Sequence, residues 1–272
     1  MTKEIIITGG TDGIGLATVE NLIENDNKLI IVGKNAEKGN NIINKFKNSK
    51  IDFFQCDLCE NEQIDQLIKK LNKLKKIDVL INNAGALFVN REENSKNIEK
   101  TFALNHLSYC KLSLGLLDKL ENSQFARIIN VASNAHKRYE LELDDLENKK
   151  NYNGWKSYCR SKLLNVLFTY SFNNEINTKV TCNCIHPGFV NSNFGNNNNN
   201  FYFKFLINIF KELLAIKPKK ASDSIKFLAT SDEIKNISGK YFYKNKIIKS
   251  SKYSYNKSIA KIIWKKTLDY IN

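Results

Sequence analysis

The sequence predicts an α/β protein with a doubly wound, mostly parallel sheet flanked by helices on both faces, a three-layer α/β/α arrangement. Short apolar runs and amphipathic helical patterns alternate with a repeat of about 25 residues, which is typical of this fold class. The first run, residues 3–8, is rich in isoleucine, as expected for a parallel strand buried on both faces. A glycine-rich turn joins that strand to the first helix. These three observations together predict a ligand site at the carboxyl edge of the sheet.

Composition limits the classes of function. The chain has 272 residues, of which 42% are hydrophobic, enough to bury a large core. Its formal net charge is +14, but the lysines are scattered among Asn and Ile. No base-stacking aromatic stripe or nucleic-acid motif accompanies the charge. We therefore expect no nucleic-acid partner.

The six cysteines are dispersed along the chain, and we expect free thiols in a reducing compartment. Cys56 and Cys59 have ligand-like or redox-like spacing, but no second pair completes a zinc site, so no metal is expected. A thiol-sensing role for these two is the less favoured alternative. The first residues lead directly into a strand, and no stretch reaches the roughly 20 apolar residues of a membrane span. A cytoplasmic location is the resulting expectation.

The glycine-rich turn after the first strand is the first candidate binding element. Glycines at a strand-to-helix turn let the backbone approach a ligand, and the first N–H groups of the helix are free to bind phosphate. We predict a dinucleotide pyrophosphate here, with a tight structural turn as the alternative. The candidate residues are Gly9, Thr11, Asp12, Gly13, Ile14 and Gly15.

The second predicted strand, residues 28–32, carries information on the cofactor because of the residues at its carboxyl end. About 20 residues beyond the glycine turn, a carboxylate would hold the ribose 2′-hydroxyl of NAD. Gly33 offers no carboxylate there, and Lys34 and Asn35 come next. A lysine that merely opens the next helix explains the charge but not the missing acid. The sequence therefore favours NADP(H) over NAD(H).

Two more predicted strands end at candidate cofactor contacts. The third lies in the stretch 51–58 and ends in Asp57, and an amphipathic helix comes after it. The fourth covers residues 77–81 and ends at Asn82, Asn83, Ala84 and Gly85. Small residues at the carboxyl end of a parallel strand let a flat cofactor lie close to the backbone.

A long helix is predicted over residues 97–120, with Asn105 in an otherwise apolar stretch. A buried amide satisfied by backbone groups is the simplest explanation for Asn105. The fifth strand, residues 127–131, delivers Ser133 to the edge where active-site side chains of such sheets gather. A serine after a strand is more often a cap or turn residue. We expect the charged segment 141–150 to lie on the surface.

Tyr158 and Lys162 lie four positions apart on the next predicted helix, and therefore on the same face. Free tyrosine has a pKa of about 10, so ionising it at pH 7 costs roughly 4 kcal/mol. A neighbouring ammonium favours the phenolate and reduces that cost. The pair suits proton donation and acceptance near neutral pH. A surface tyrosine above a solvated lysine is the structural alternative.

The region after the sixth predicted strand, residues 179–185, is the most variable in composition. His186 comes directly after the strand and is expected to be structural. Five asparagines at 196–200 form a low-complexity insert. Residues 201–210 are far more apolar than their surroundings, and a lid over a hydrophobic substrate is favoured over a membrane-contacting helix.

The remainder contains a helix at 221–229, a last strand at 239–243 and a basic tail. The tail ends in a helix anchored by Trp264 and Leu268. No long linker interrupts the chain, so one domain is predicted over residues 1–272, with a variable substrate-loop insert at about 192–220.

Taken in order, these motifs resemble those of the short-chain dehydrogenase/reductase family, and the ordered set spans nearly the whole chain. It consists of Thr8-Gly9-x-x-x-Gly13-Ile14-Gly15, Asp57-Leu58, Asn82-Asn83-Ala84-Gly85, Asn105, Ser133, Tyr158-x-x-x-Lys162 and Pro187-Gly188. The residues around Tyr158, His186 and Ser238 resemble the retinol-dehydrogenase-like branch, which includes WW-domain-containing oxidoreductases. Members of that branch often carry an N-terminal membrane anchor, which is not seen here.

The resemblance implies a Rossmann-type NAD(P)-binding domain and four catalytic roles. Tyr158 would be the general acid in carbonyl reduction and the base in alcohol oxidation. Lys162 would lower the Tyr158 pKa and hold the nicotinamide ribose. Ser133 would bind the substrate oxygen, and Asn105 would hold a water that links Lys162 to solvent.

The resemblance also implies cofactor contacts along the sheet edge. The glycine turn would cradle the pyrophosphate. The other implied contacts are Asp57 and Leu58 at adenine, Asn83 at the adenosine side, Ser192 at the carboxamide, and Ala84, Gly85, Pro187, Gly188 and Val190.

The leading hypothesis is an NADP(H)-dependent oxidoreductase for a hydrophobic carbonyl or alcohol, such as a retinoid, steroid, lipid aldehyde or xenobiotic ketone. A catalytically quiet NADP(H)-sensing interaction protein on the same fold is the alternative, and the four intact catalytic side chains argue against it. Peripheral membrane contact through residues 201–210 is compatible with enzyme activity. Family members are often dimers or tetramers, so a homodimer or homotetramer is also considered.

Overall fold

The computed structural model describes residues 2–188 and 218–272. Within them, the strands are β1 Glu4–Thr8, β2 Lys28–Gly33, β3 Ile51–Gln55, β4 Val79–Asn82, β5 Arg127–Val131, β6 Thr181–Ile185, β7 Tyr241–Tyr243 and β8 Lys246–Ile247. They form one eight-stranded sheet in the order β3-β2-β1-β4-β5-β6-β7-β8. The pairs from β3 to β7 are parallel, and β8 is antiparallel to β7.

Helices cover both faces of this sheet, which confirms the predicted fold class. They are α1 Gly13–Ile23, α2 Ala36–Lys45, α3 Asn61–Leu71, α4 Lys100–Phe102, α5 Ser108–Gly115, α6 Leu117–Glu121, α7 Gly154–Glu175, α8 Pro218–Thr230 and α9 Lys257–Ile271. Ile6 packs into the core under α3, α5, α7 and α9, whereas Ile5 and Ile7 pack into the core under α1 and α8. Alternate residues of one strand therefore feed two cores, as in a buried parallel sheet.

The single helix predicted over residues 97–120 is wrong in its continuity. α4 is followed by a π-helical turn, Ala103–Leu107, and a break at Leu116 separates α5 from α6. The wide turn contains Asn105 and His106, whose side chains bond to partners outside the helix. Single π turns of this kind frequently occur at functional sites.

The surface location expected for residues 141–150 is also wrong in part, because 145–148 are buried. Asp145 accepts hydrogen bonds from the backbone of Lys149 and Lys150 at 2.7 and 3.0 Å. Glu147 accepts from the Glu99 N–H at 3.1 Å and from the Tyr270 hydroxyl at 2.9 Å. These donors satisfy the carboxylates, which is what allows a charged segment to be buried.

The predicted C-terminal helix is present as α9, and it packs across α5, α7 and the π turn. The Trp264 ring stacks on Phe168 with centroids 5.6 Å apart, and Leu268 packs against the same core. The Thr267 hydroxyl bonds to His106 Nε2 at 2.9 Å. Among the helices of the described ranges, none has the length and apolar character needed to span a bilayer. The asparagine run and the apolar segment 201–210 lie outside these ranges.

Candidate active site

Three predicted catalytic side chains meet where β5 ends and α7 begins. The Tyr158 hydroxyl is hydrogen-bonded to Ser133, and the Tyr158 side chain is only 9% exposed. Lys162 is buried one turn further along α7, with its Nζ 5.7 Å from the centre of the Tyr158 ring. Nζ donates to the Val131 carbonyl at 3.0 Å. The lysine is thereby fixed to the strand that carries Ser133.

Burial dominates the electrostatics of this pair. It raises the pKa of Tyr158, and the hydrogen bond to Ser133 offsets only part of that increase. It also lowers the pKa of Lys162 to about 7. The net shift of the Tyr158 pKa is therefore upward, and the lowering by Lys162 that the family resemblance implies stays a prediction. Desolvation of the phenol is the largest cause of that upward shift.

Asn105 is satisfied by backbone and side-chain partners, as the simplest explanation of its burial expects. Its Oδ1 accepts from the Ala86 N–H at 2.9 Å, and its Nδ2 donates to the Ala86 carbonyl at 2.9 Å and to Ser161 Oγ at 3.0 Å. The π turn therefore ties the loop after β4 to α7. A Cβ on Gly85 would lie 3.2 Å from Asn105 Oδ1 and 3.3 Å from Lys162 Nζ. The glycine keeps the space in front of these two groups open.

The glycine turn packs directly against the end of β4. Gly9 has a φ of +65°, and a Cβ on it would lie 2.8 Å from the Ala84 Cα. A Cβ on Gly15 would lie 2.0 Å from the Gly9 carbonyl oxygen. Asn83 holds the turn through Nδ2, which donates to the Thr8 carbonyl at 2.9 Å. α1 begins at Gly13 at this edge, and the N-terminus of a helix favours an anion.

The remaining turn residues contact the β2 side of the sheet. A Cβ on Gly33 would lie 3.0 Å from Thr11 Cγ2, so Thr11 fills the space where a side chain at 33 would begin. Asp12 caps α1 by accepting from the Gly13 N–H at 2.7 Å, and its other oxygen pairs with Lys38 at 2.5 Å. Sequence reasoning missed Lys38, although its place in the first turn of α2 puts it near this edge.

Lys34 is not a free cation. Its Nζ lies 2.7 Å from Asp57 Oδ2, although the lysine side chain remains 76% exposed. Asp57 lies two residues beyond the end of β3, which is shorter than predicted. Burial opposes its ionisation, but hydrogen bonds from Lys34 and the Cys59 backbone outweigh burial and lower the pKa of the carboxyl. Asn35 caps α2 through the Lys38 N–H.

The other predicted contacts are divided between described and undescribed residues. Leu58 is buried in the core beside β3. Pro187 and Gly188 lie just beyond β6, and Gly188 donates its N–H to His186 Nδ1 at 3.3 Å. His186 stacks on Tyr243, with centroids 5.1 Å apart, which fits the structural role expected for it. Val190 and Ser192 lie outside the described residues.

Two residues near Tyr158 and Ser133 were missed by sequence reasoning. His136 Nδ1 lies 2.7 Å from the Ser133 carbonyl oxygen, and Nε2 accepts from the Ser251 N–H at 3.0 Å. These bonds fix one neutral tautomer, with the proton on Nδ1. Trp155 stacks on the Tyr158 ring. The sequence offered one signal for each: His136 lies close to Ser133 along the chain, and Trp155 lies three residues before Tyr158.

We assign no catalytic or binding role in this site to the cysteines. All six are free and buried. Burial raises the pKa of Cys56 to about 12 and raises the pKa of Cys59 as well, which disfavours the reactive thiolate form at neutral pH. Within the described ranges, no group of three or more metal-ligating side chains is clustered closely enough to hold a metal ion.

Comparison with known proteins shows what this chain is similar to. A family model described as short chain dehydrogenase matches residues 3–202. Polyprenol dehydrogenase from Homo sapiens is 34% identical, covering 97% of this chain and 83% of that protein. Retinol dehydrogenase 13 from Mus musculus is 31% identical, covering 88% of this chain and 75% of that protein.

Solved structures show the same fold at low identity. A protein from Mycobacterium paratuberculosis superposes with a TM-score of 0.80 at 20% identity, over 99% of this chain and 93% of that one. An actinorhodin polyketide ketoreductase solved with NADPH gives a TM-score of 0.67 at 17% identity, over 89% of this chain and 95% of that one.

Proposed function

This chain belongs to the retinol dehydrogenase-like branch of the short-chain dehydrogenase/reductase family, and from that premise we propose that it is an NADP(H)-dependent oxidoreductase for hydrophobic carbonyls and alcohols. The observation that carries the proposal is the contact between Tyr158 and Ser133, with Lys162 buried beside them. An acid, an oxygen-binding hydroxyl and a cation therefore share one edge of the sheet.

The residues of the glycine turn and of β4 fit a dinucleotide. Close packing leaves no room for a side chain at Gly9, which lies against Ala84, or at Gly15, and a side chain at position 85 would crowd Lys162. A bound nicotinamide would supply or accept the hydride. Lys162 and Asn83 are the residues we assign to its ribose and adenosine sides.

The protein's part in the reaction is proton transfer and charge stabilisation. In carbonyl reduction, the Tyr158 hydroxyl donates its proton to the carbonyl oxygen, and in alcohol oxidation the phenolate takes that proton back. Ser133 donates a hydrogen bond to the same oxygen as negative charge develops on it. Because burial raises the pKa of Tyr158, the phenol is protonated at neutral pH. That resting state supports reduction.

NADP(H) is the cofactor we propose. Gly33 provides no carboxylate at the end of β2, and Lys34 and Lys38 bring two cations to the same corner. Each cation is paired with an acid, Asp57 or Asp12, so a 2′-phosphate would compete with a carboxylate. A phosphate carries up to two negative charges and accepts several hydrogen bonds, which favours it in that competition.

The substrate proposal draws on the relatives, named for polyprenol and retinol, both of which are apolar alcohols. The test is a panel of retinoid, steroid, long-chain and aromatic carbonyls with NADPH, read by the absorbance of the reduced nicotinamide. Tyr158→Phe should lower turnover by at least about 100-fold while NADPH still binds. Tyr139→Phe, at an exposed position, is the matched control and should retain most activity.

Wild-type protein that binds NADPH but reduces no member of the panel, and oxidises no corresponding alcohol, would contradict the enzyme proposal. That outcome would favour a nucleotide-sensing interaction protein on the same fold.

Location and assembly belong to the same proposal. Free, buried cysteines suit a reducing compartment such as the cytoplasm, and the net charge of +14 suits contact with an anionic membrane through residues 201–210. Sedimentation with anionic liposomes at low and high salt tests that contact. Light scattering tests whether the protein forms a homodimer or homotetramer. α9 packs against α5 and α7 and covers part of their surface, which leaves less of it for a partner subunit.

A further inference from the structure

We propose that Trp155 is a specificity-determining residue that binds the planar, conjugated part of an aromatic or unsaturated aldehyde or ketone beside Tyr158. This inference rests on the proposed function and narrows its substrate class. Position 155 lies in none of the family motifs named above.

The first observation is the position of the indole. The Trp155 and Tyr158 rings are stacked, with centroids 5.8 Å apart and planes inclined by 23°. Helical side chains lean toward the N-terminus of their helix, so the Tyr158 ring lies over the turn that carries Trp155. The indole therefore places an aromatic surface directly against the proposed acid at the N-terminal end of α7.

The second observation is exposure. Trp155 is 43% exposed, whereas Tyr158 beside it is 9% exposed. Part of the indole covers the phenol ring, and the rest remains open to solvent at the edge of the site. Tryptophan buries a large apolar area in a contact and is a frequent binding anchor when left open in this way.

The third observation is that the turn bearing Trp155 is held rigidly. Asn153 caps α7 by accepting from the Lys156 N–H at 2.9 Å. The Tyr152 hydroxyl donates to the Phe88 carbonyl at 2.9 Å. A Cβ on Gly154 would lie 2.2 Å from that same carbonyl oxygen, so the helix start packs directly on the loop after β4. A rigid anchor loses little conformational entropy on binding.

These observations restrict which substrate substituents fit beside Tyr158. A carbonyl oxygen that accepts hydrogen bonds from Tyr158 and Ser133 places its own substituents within reach of the Tyr158 ring. A planar, conjugated substituent there can stack on the exposed indole, with centroids separated by about 4.5–7 Å. A puckered, saturated ring of the same size cannot bring all its carbons against that plane. Trp155 should therefore discriminate by planarity.

A matched pair of substrates tests this. Benzaldehyde and cyclohexanecarbaldehyde have the same ring size and differ in planarity. We expect Trp155→Ala to reduce the ratio of their kcat/KM values roughly three- to tenfold, through KM for benzaldehyde. Trp155→Phe should restore most of the ratio. Intrinsic reactivity cancels, because each variant is compared with the wild type.

An unchanged ratio, with kcat lowered equally for both aldehydes, would overturn the inference and leave Trp155 as a residue that only positions Tyr158. Activity itself would then still support the proposed function. The two proposals therefore fail separately.

A binding measurement decides the inference even without turnover. The chain has two tryptophans, and Trp264→Phe leaves Trp155 as the only indole emitter while preserving an aromatic ring on Phe168. With NADP⁺ present, which cannot reduce an aldehyde, benzaldehyde should quench the emission saturably and more strongly than cyclohexanecarbaldehyde. Emission that does not respond to saturating benzaldehyde would overturn the inference.

Discussion

Lys34 Nζ lies 2.7 Å from Asp57 Oδ2, so the cation at the end of β2 is joined to an acid just beyond β3. The lysine is largely exposed, and pairs of this kind contribute at most about 1 kcal/mol. A ligand phosphate that arrives at Lys34 therefore has a weak competitor. The pair gives two opposite predictions for cofactor preference, one for each partner.

Removing the cation should weaken binding of the phosphorylated cofactor alone. We expect Lys34→Ala to raise the Kd for NADPH about tenfold, equivalent to about 1.4 kcal/mol, and to change the Kd for NADH less than about twofold. Lys34→Arg is the matched control and should retain the preference. Titration by nicotinamide fluorescence measures both constants. Equal weakening of NADPH and NADH would contradict the assigned role.

Removing the competing acid should have the opposite effect. Asp57→Asn keeps an oxygen that can accept from the Cys59 N–H, which Asp57 now binds at 3.0 Å. It also frees Lys34 to bind a phosphate. We expect the preference for NADPH over NADH to rise roughly three- to tenfold in the same titration. A loss of preference would mean that Asp57 itself supports the 2′-phosphate end of the cofactor.

His136 should matter for turnover because it joins the Ser133 backbone to Ser251. His136→Ala removes the imidazole's bond to the Ser133 carbonyl and leaves the Ser251 N–H without its acceptor, which costs about 1–3 kcal/mol of unfolding free energy. We expect kcat to fall about tenfold as Ser133 moves. His136→Gln offers a donor and an acceptor and should recover part of both losses. Thermal melting and steady-state kinetics are the measurements, with exposed Lys137→Ala as the control.

Turnover at the wild-type level in a destabilised His136→Ala protein would separate stability from Ser133 positioning and contradict the second claim.

His106 should make the fold sensitive to acid. Burial lowers its pKa from 6.5 to about 4. As pH falls below 6.5, the unfolded chain binds a proton that the folded chain does not, so stability decreases down to about pH 4. At pH 5 the loss from this group is about 2 kcal/mol. Urea unfolding of wild type and His106→Gln at pH 7 and pH 5 should show a smaller decrease in the variant.

His136 and His186 also have pKa values lowered to about 4, chiefly by burial, and they stay in that variant. Part of the acid sensitivity should therefore remain. A decrease between pH 7 and pH 5 that is the same in both proteins would exclude His106 as a contributor.

The sheet was predictable because its signal is local. The isoleucines of β1 and β2 are buried whichever face they point to, so each strand appears as a continuous apolar run. The π turn was not predictable, because it depends on Ala86 and Thr267, which bond to side chains of Asn105 and His106 from distant parts of the chain. Burial of Glu147 similarly depends on Tyr270.

The candidate site also has features that the sequence predicts and features that it does not. Spacing on one helix placed Tyr158 and Lys162 together, and the carboxyl end of β5 placed Ser133 beside them. The partner of Lys34 could not be found from spacing, because strand pairing brings Asp57 to it from the next crossover. The direction of the Tyr158 pKa shift depends on how deeply the phenol is buried, and that quantity is set by packing.

The bonds from His136 to Ser251 and from His106 to Thr267 join residues that are 115 and 161 positions apart along the chain. An N-terminal fragment ending with α7 would hold all four proposed catalytic side chains, yet it would lack both bonds. The C-terminal segment therefore supplies none of the four side chains, yet catalytic competence should depend on it.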